Sequence, residues 1–435
     1  MGWSSTSGLL DKNKFPQLEK VNLIYQEGLE DEHRLWSYVD KFKRLVKSLP
    51  NSAGNKVTVQ AGPDKKEKSF MEGFQQGNSA VKKRQHKWLE SSEHFRRILN
   101  SIDDEMTEVR PIKIAIIDNG VDAALSIPKG KIANGASFFP NKNINTGNYM
   151  DHYYPYYVAS NTLNHGSLVA TLVCKMCPKV KLYICRLDEK MSGKGEGRYL
   201  TMESATKAVK WATGQGVDVI CMSWTIEDNI KNEDAQQKLR DVLATADDKN
   251  IIMVSSASDQ GGNSTKTWPG ESGRCIRIGA STETGDKSSL VHQRDMEFLF
   301  PGEEVPLDAN KEHLSRTLFD GSSVATAIAA GTAGLLLYLD RLAQKWGGFE
   351  EESDNRRDSD NTREADHKTW VPLKGRASMK KVFESMSITG NKCPSLDMFI
   401  DQFNEYSFVE LETAGETLRG ILRPLKNGQK FFGLN

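Results

Sequence analysis

A repeated alternation of short apolar runs with helix-like segments constrains this chain most. The apolar runs are rich in β-branched residues and cover residues 112–120, 180–188, 217–224, 250–258 and 274–281. Helical patterns lie between them, most clearly at 200–214 and 234–248. Strands that alternate with helices predict βαβ units and a parallel sheet buried on both faces. We therefore predict an α/β fold, with a mostly parallel buried sheet and helices on both of its faces.

The first part of the chain shows a different pattern. Apolar residues recur at helical spacing over 16–50 and over about 78–102, and the polar, Gly- and Lys-rich stretch 51–78 between them predicts a loop. We expect a small all-α module there and divide the chain accordingly. The predicted units are the module at 1–110, the α/β domain at 111–390 with a charged, exposed loop at 346–370, and a C-terminal extension at 391–435.

Composition excludes several classes of protein. Lys plus Arg and Asp plus Glu both number 58 in the 435 residues, so the formal net charge is zero. General nucleic-acid binders need excess positive charge to displace counterions, so we expect no nucleic-acid partner. No apolar stretch reaches the length of a membrane span, and the first fifteen residues contain no apolar core of a signal peptide. We expect an intracellular protein.

The six cysteines do not form the pattern of a disulfide scaffold in a chain of this length. Cys185, Cys221 and Cys275 lie inside strand-like runs, where cysteine behaves as a small hydrophobic residue. Cys174 and Cys177 form one CxxC motif without a partner pair, which supports zinc or redox chemistry only weakly.

Three motifs stand where an α/β sheet presents functional groups, at strand ends and helix starts. Asp118 ends an apolar run in IAIIDNGVD, although an Asp in such a turn often just bonds its own backbone amides. His165 begins a helical pattern in NHGSLVATLV, although a lone histidine is most often structural. Ser323 begins another in DGSSVATAIAAG, whose small residues also suit close helix packing. Each motif alone favours the structural interpretation.

Taken together and in this order, the motifs resemble those of the subtilisin-like serine peptidases. The spacings fit as well, with 47 residues from Asp118 to His165 and 158 from there to Ser323. The resemblance covers about 112–339 and includes further segments in the family's order. These are LYICRL (182–187), AVKWATGQGVDVICMS (208–223), TWPGESGRCIRIGAS (267–281) and FPGEEV (300–305). The resemblance implies a serine endopeptidase on a subtilisin-like fold.

The resemblance also implies a role for each of the three residues. Ser323 would be the nucleophile and His165 the base that takes its proton, while Asp118 would hold the imidazole tautomer and stabilise the imidazolium. A helix start suits the nucleophile, because the Ser323 amide is an unpaired donor there and the helix dipole favours an anion. Ser322 competes for the nucleophile role, and the position of Gly321 in the motif favours Ser323.

By the same resemblance, two backbone edges would hold an extended peptide. Ser223, Trp224 and Thr225 would form one edge, and the glycine-rich run 193–197, which contains Gly195, the other. That run lacks the GK[ST] ending of a phosphate loop. The primary side-chain pocket would be lined by Ser256, Ala257 and Ser258. Trp268-Pro269 matches a proline turn of the family and is a candidate cis bond.

One position departs from the family pattern. The family places an asparagine as oxyanion donor where this chain has Asp259. An ionised aspartate accepts hydrogen bonds and cannot donate them, and losing such a donor costs about 10²–10³ in kcat in a member of this family. Activity is still compatible with this residue in two ways. Asp259 would donate a hydrogen bond if burial kept it protonated, and nearby Asn263 would serve as a substitute donor. A few subtilisin-like convertases that have Asp at this position are active. The alternative is an attenuated or inactive pseudopeptidase that serves as a peptide-binding or signalling scaffold.

The remaining expectations concern cofactors and partners. Calcium is common in the family, but no dense carboxylate loop identifies a site, so we expect no cofactor and no metal ligands. A polypeptide substrate is the expected partner. The module at 1–110 would regulate the peptidase or bind a partner protein, or it would be a divergent prodomain.

Overall fold

The computed structural model describes residues 18–25, 32–48, 58–63, 89, 96, 99, 108–122, 127–128, 130–141, 152–158, 164–191, 198–227, 233–259, 266–291, 295–306, 318–346, 373–387 and 392–395. Gly195, Asn263, the predicted charged loop beyond residue 346 and nearly all of the predicted C-terminal extension lie outside them.

In chain order, the strands are β1 (Lys20–Tyr25), β2 (Thr58–Pro63), β3 (Ile112–Asp118), β4 (Val121–Asp122), β5 (Ile132–Ser137), β6 (Tyr157–Val158), β7 (Val180–Arg186), β8 (Glu189–Met191), β9 (Arg198–Leu200), β10 (Val219–Met222), β11 (Ile226–Glu227), β12 (Ile252–Ser256), β13 (Thr267–Trp268), β14 (Ile276–Ser281), β15 (Phe298–Pro301), β16 (Val305–Pro306) and β17 (Leu318–Phe319). The helices are α1 (Glu32–Ser48), α2 (His165–Met176), α3 (Met202–Gly214), α4 (Glu233–Asp248), α5 (Ser322–Trp346) and α6 (Gly375–Met386).

Seven of these strands form one parallel sheet in the order β15-β14-β12-β10-β3-β7-β5. The five apolar runs of the sequence all became strands of this sheet, so the predicted α/β fold is confirmed. Side chains alternate across the sheet, as the pleat requires. Ile114 and Ile116 of β3 enter the core on one face, and Ala115 and Ile117 enter the core on the other.

Helices cover both faces. Helices α2, α5 and α6 contribute to one core and α3 and α4 to the other. Small residues let α5 approach its neighbours closely, since a Cβ on Gly331 would lie 2.5 Å from Met176 Cβ and one on Gly334 would lie 2.7 Å from Ile114. Contrary to the expectation from sequence, the segment Ser322–Lys345 is long and apolar enough to cross a membrane, but 94% of its most apolar window is buried inside the protein. A core helix meets the same test.

The first part of the chain is not all helical, so that part of the prediction is wrong. Strands β1 and β2 pair in parallel, with α1 between them in the chain. The apolar spacing of Leu18, Val21 and Tyr25 matches a helix, but strand pairing overrides the local pattern. Val21 is buried, and the Thr58 amide and hydroxyl both donate to the carbonyl of Glu19.

Four described residues ahead of the predicted boundary at 110 pack into the main core. Leu89, Leu99 and Val109 belong to the buried core cluster that also contains residues of α2 and α5. The Arg96 guanidinium is 6% exposed and donates to the carbonyls of Lys175, at 2.6 Å, and Leu89, at 3.3 Å. Lys175 lies in the last turn of α2, where a cation also complements the helix dipole. Part of the predicted front module therefore belongs physically to the α/β domain.

One local prediction is confirmed, since the peptide bond between Trp268 and Pro269 is cis. Near the other end of the chain, Phe383 of α6 packs edge-on against Phe298 and Phe300 of β15.

Candidate active site

The carboxyl ends of three neighbouring strands bring the candidate residues to one edge of the sheet. Asp118 is the last residue of β3, Ser223 follows β10, and Asp259 follows β12 by three residues. His165 is the first residue of α2, and Ser323 is the second residue of α5. The predicted residues therefore come from five different elements that share one edge.

Asp118 and His165 are joined directly. Nδ1 of His165 lies 3.0 Å from Oδ1 and 2.9 Å from Oδ2 of Asp118. The carboxylate also accepts the hydroxyl of Ser223, at 2.9 Å, and the amide of Asn119, at 2.8 Å. It is only 5% exposed, so these bonds satisfy a buried charge that would otherwise be costly. The Asn119 bond is the local turn contact that the sequence suggested, and it coexists with the pair.

The imidazole is held in one orientation and remains partly open to solvent. A carboxylate only accepts, so Nδ1 carries the hydrogen and Nε2 of the neutral ring is left free to take a proton. The charge of Asp118 raises the pKa of His165, with smaller help from their hydrogen bond and from Glu189, while burial acts in the opposite direction. The side chain of His165 is 39% exposed, which leaves a face for a substrate.

The predicted peptide edge after β10 turns two of its side chains inward. Ser223 and Trp224 are both buried, and the Trp224 indole donates to the carbonyl of Ile117 at 2.7 Å. Thr225 is exposed. The side chains of Ser223 and Trp224 therefore hold the end of β3 in place, and backbone binding of a peptide along 223–225 stays a prediction.

Helix α5 is preceded by Gly321, whose backbone conformation favours glycine. Gly321 has φ +124°, a conformation that side chains disfavour. Its carbonyl accepts the amides of Val324, at 3.1 Å, and Ala325, at 3.3 Å. Among the described residues, the Ser323 amide donates no hydrogen bond. That amide is therefore available to an anion at the helix start.

Ser322, the competing nucleophile, is buried and fully engaged. Its amide donates to Oδ2 of Asp259 at 2.8 Å, and its hydroxyl donates to Oδ1 at 2.5 Å. The same hydroxyl accepts the amide of Ala280 at 3.1 Å. Asp259 therefore caps the amino terminus of α5. Ser323, which is only partly buried, is the accessible serine of the pair.

The Asp259 carboxylate and the Ser323 hydroxyl both lie near Gly321. Oδ2 of Asp259 and Oγ of Ser323 lie 3.3 and 3.5 Å from the point that a Cβ on Gly321 would occupy. In this arrangement Asp259 accepts hydrogen bonds and presents no donor. No hydrogen bond links Ser323 to His165 within the part of the chain that the structure describes.

The residues predicted for the primary pocket lie at the end of β12. Ser256, Ala257 and Ser258 are all buried, and the Ser256 hydroxyl donates to the carbonyl of Ala257 at 2.9 Å. The Ala257 amide donates to Ile278 of the neighbouring strand β14. These contacts hold the segment rigidly, and its role in side-chain recognition stays a prediction.

The cysteines carry no sign of chemistry. All six are free and buried. Burial raises the pKa of the Cys174 and Cys177 thiols to about 12, so both stay protonated at neutral pH. Within the described ranges, with their gaps, no group of His, Cys, Asp and Glu side chains could hold a metal ion. The expectation that the protein needs no cofactor stays a prediction.

Sequence reasoning missed several residues around the pair. Asn164 caps α2, and Asn119 bonds to the first turn of that helix. An asparagine directly before a helical pattern is a recognised cap signal, so the capping role of Asn164 could have been predicted from the sequence. The contacts of Asn119 depend on tertiary neighbours and carry no such signal.

Comparison with known proteins agrees with this geometry. Residues 110–345, more than half of the chain, match the model of the subtilase family. The chain belongs to the subtilase family, whose members are serine endopeptidases and therefore hydrolases.

Individual relatives are distant. The chain is 26% identical to subtilisin DY of Bacillus licheniformis over 240 residues, covering 52% of this chain and 76% of that protein. It is 24% identical over 242 residues to a protein named intracellular serine protease from Paenibacillus polymyxa, covering 54% and 68%. Among solved structures, a lanthipeptide protease aligns with a TM-score of 0.45 and 17% identity over 69% of this chain and 88% of that chain.

Proposed function

We propose that this subtilase cleaves peptide bonds through a triad of Asp118, His165 and Ser323. The observation that carries the proposal is the buried Asp118 carboxylate, which holds Nδ1 of a partly exposed imidazole at 2.9 and 3.0 Å. A carboxylate bonded in this way stabilises the imidazolium that forms during attack. The available Ser323 amide at the start of α5 adds an oxyanion donor.

The chemistry proceeds in two steps. As Ser323 Oγ attacks the substrate carbonyl, its proton passes to Nε2 of His165, and the resulting imidazolium is held by Asp118. The C–N bond then breaks, and the imidazolium gives that proton to the leaving amine. Water attacks the acyl-enzyme with His165 again as base, which releases the carboxylic acid and restores the serine.

A fluorophosphonate probe, which phosphonylates an activated serine, tests the proposal directly. We expect the wild-type chain to be labelled at Ser323, with the site located by mass spectrometry, and Ser323→Ala to be unlabelled. Ser322→Ala is the matched control, because it removes the neighbouring buried hydroxyl and should keep labelling. If the wild-type chain is labelled at neither Ser322 nor Ser323 at any pH from acidic to alkaline, the proposal is overturned.

The orientation of Asp259 supports a second candidate, a pseudopeptidase that binds peptides without cleaving them. Its carboxylate accepts the amide and hydroxyl of Ser322 and lies near Gly321, as the Ser323 hydroxyl does, so a negative charge on it would repel an oxyanion formed there. The two functions separate cleanly, because a scaffold would retain peptide in a binding assay and would stay unlabelled by the probe.

We also propose an intracellular setting and a regulatory or partner-binding role for the first part of the chain. The first is supported by the intracellular relative from Paenibacillus and by six buried, unpaired cysteines. For the second, the rival is a divergent prodomain that is removed by autocleavage near residues 105–111. Mass spectrometry of wild type and Ser323→Ala separates them, since only a prodomain would be lost from the wild type alone.

A further inference from the structure

The start of α2 is joined to the turn after β3 by a network that surrounds the Asp118–His165 pair. Asn164 makes three contacts in it. Its Oδ1 accepts the amide of Ser167 at 3.1 Å, which caps the helix. Its Nδ2 donates to the carbonyl of Gly120 at 2.9 Å and to Oδ1 of Asn119 at 3.2 Å. One side chain therefore caps α2 and also ties it to the strand end that carries Asp118.

Asn119 completes the connection from the other side. Its Oδ1 accepts the amide of Gly166 at 2.9 Å, in addition to the bond from Asn164. The two segments approach so closely that a Cβ on Gly166 would lie 2.2 Å from the Gly120 carbonyl oxygen. These contacts involve the residues directly after Asp118 and on either side of His165.

We propose that Asn119 and Asn164 are positioning residues that hold His165 against Asp118 before substrate binds. This inference rests on the proposed function and extends it to the groups that preorganise the base. A partly exposed ion pair is weak by itself, because solvent screens it and side-chain entropy opposes it. The amide network ties together the backbones on which both partners sit, so the pair need not depend on its own attraction.

Helix capping alone would explain some of these contacts, and two substitutions separate the roles. Asn164→Ser keeps an oxygen that caps α2 but removes both Nδ2 bonds to the turn. Asn119→Ala removes the acceptor on the turn and leaves the cap intact. The matched control is Thr201→Ala, which removes the cap of α3, a helix that carries none of the proposed catalytic residues.

We expect Asn164→Ser and Asn119→Ala to lower kcat by about 10- to 100-fold with little change in KM, since sub-ångström misplacement of a base reduces the rate and spares binding. The acidic limb of kcat/KM should also move to lower pH. Among the described residues, the charged groups that act on His165 are Asp118 and Glu189, and loosening the contact with Asp118 weakens the attraction that favours the imidazolium. Thr201→Ala should lower Tm without either change.

The same variants can be examined without turnover in the Ser323→Ala background by proton NMR. A hydrogen-bonded imidazole Nδ1 proton resonates far downfield, and we expect that resonance to be sharp in the parent and to broaden or move upfield in both asparagine variants. If Asn164→Ser and Asn119→Ala keep the parent resonance, kcat and pH profile while losing only Tm, the inference is wrong. Failure of probe labelling in the wild type would instead refute the proposed function and leave the NMR test standing.

Discussion

Asp259 accepts both hydrogens that Ser322 can donate, from the amide at 2.8 Å and from the hydroxyl at 2.5 Å. The carboxylate thereby caps the helix that carries Ser323, at the position where the sequence resemblance implies an oxyanion donor. These two bonds indicate that Asp259 stabilises the start of α5, so replacing it should change the stability of the protein as well as its activity.

We expect Asp259→Asn to lower the free energy of unfolding by about 1 kcal/mol, because the amide can accept only one of the two bonds and leaves the Ser322 hydroxyl without its acceptor. Turnover should rise less than tenfold, since the new NH₂ group faces Ser322. Urea unfolding and peptide hydrolysis measure the two effects. Asp320→Asn is the control, because its Oδ1 would still accept the amide of Glu304. A large gain in turnover at unchanged stability would show that the cap is unimportant.

The pH profile should report the Asp118–His165 pair. The base must be neutral to take a proton, so kcat/KM should increase as pH rises through the His165 pKa, and the charge of Asp118 raises that pKa. The midpoint is therefore expected above about 6.5, the value for a free imidazole. The same raised pKa stabilises the fold below the unfolded-state pKa, and this stabilisation is lost as pH rises through the folded-state value.

Asp118→Asn provides the comparison for that profile. We expect this substitution to move the acidic limb of the kcat/KM profile to lower pH. It should also reduce kcat by about 10⁴-fold, which is the loss known for a serine-peptidase triad without this carboxylate. A wild-type midpoint at or below that of free imidazole would contradict the pairing.

Arg96 should matter for stability although it lies ahead of the family match. We expect Arg96→Ala to lower the free energy of unfolding by about 1–3 kcal/mol, because the partly buried carbonyl of Lys175 and the buried carbonyl of Leu89 lose a charged donor. Arg110→Ala is the control, since its side chain is 69% exposed in a loose ion pair with Asp218 and such pairs contribute at most about 1 kcal/mol. If urea unfolding shows equal losses of stability for Arg96→Ala and Arg110→Ala, the bonds of Arg96 to Leu89 and Lys175 do not stabilise the fold.

Two helical glycines offer a matched test of the close contact at the start of α2. Gly166→Ala should destabilise by about 1–3 kcal/mol and reduce activity, because its Cβ would meet the Gly120 carbonyl at 2.2 Å. Gly214→Ala, in α3, has nothing within 4 Å of the added Cβ, so it should be neutral or stabilising by up to about 1 kcal/mol. Thermal unfolding of the pair gives the comparison, and losses of similar size would contradict the close approach of α2 to the turn.

Prediction from sequence succeeded where the pattern is local. The strands 112–118 and 252–256 are recognisable as β-branched runs, and the motifs around Asp118, His165 and Ser323 mark strand ends and helix starts. It failed at Lys20–Tyr25, whose helical spacing was overridden by pairing with Thr58–Pro63. Pairing between two strands that lie more than thirty residues apart cannot be recognised from the pattern of either segment alone.

The sequence by itself determined the layered α/β architecture and the edge at which the candidate residues meet, because side-chain periodicity dictates which faces are buried. Only the tertiary structure decided how those residues are supported. The Ser223 hydroxyl reaches Asp118 from 105 positions away, and Asp259 turns toward Ser322 across 63. Such contacts depend on the relative placement of packed strands and helices, which is set by the whole core and not by neighbours along the chain.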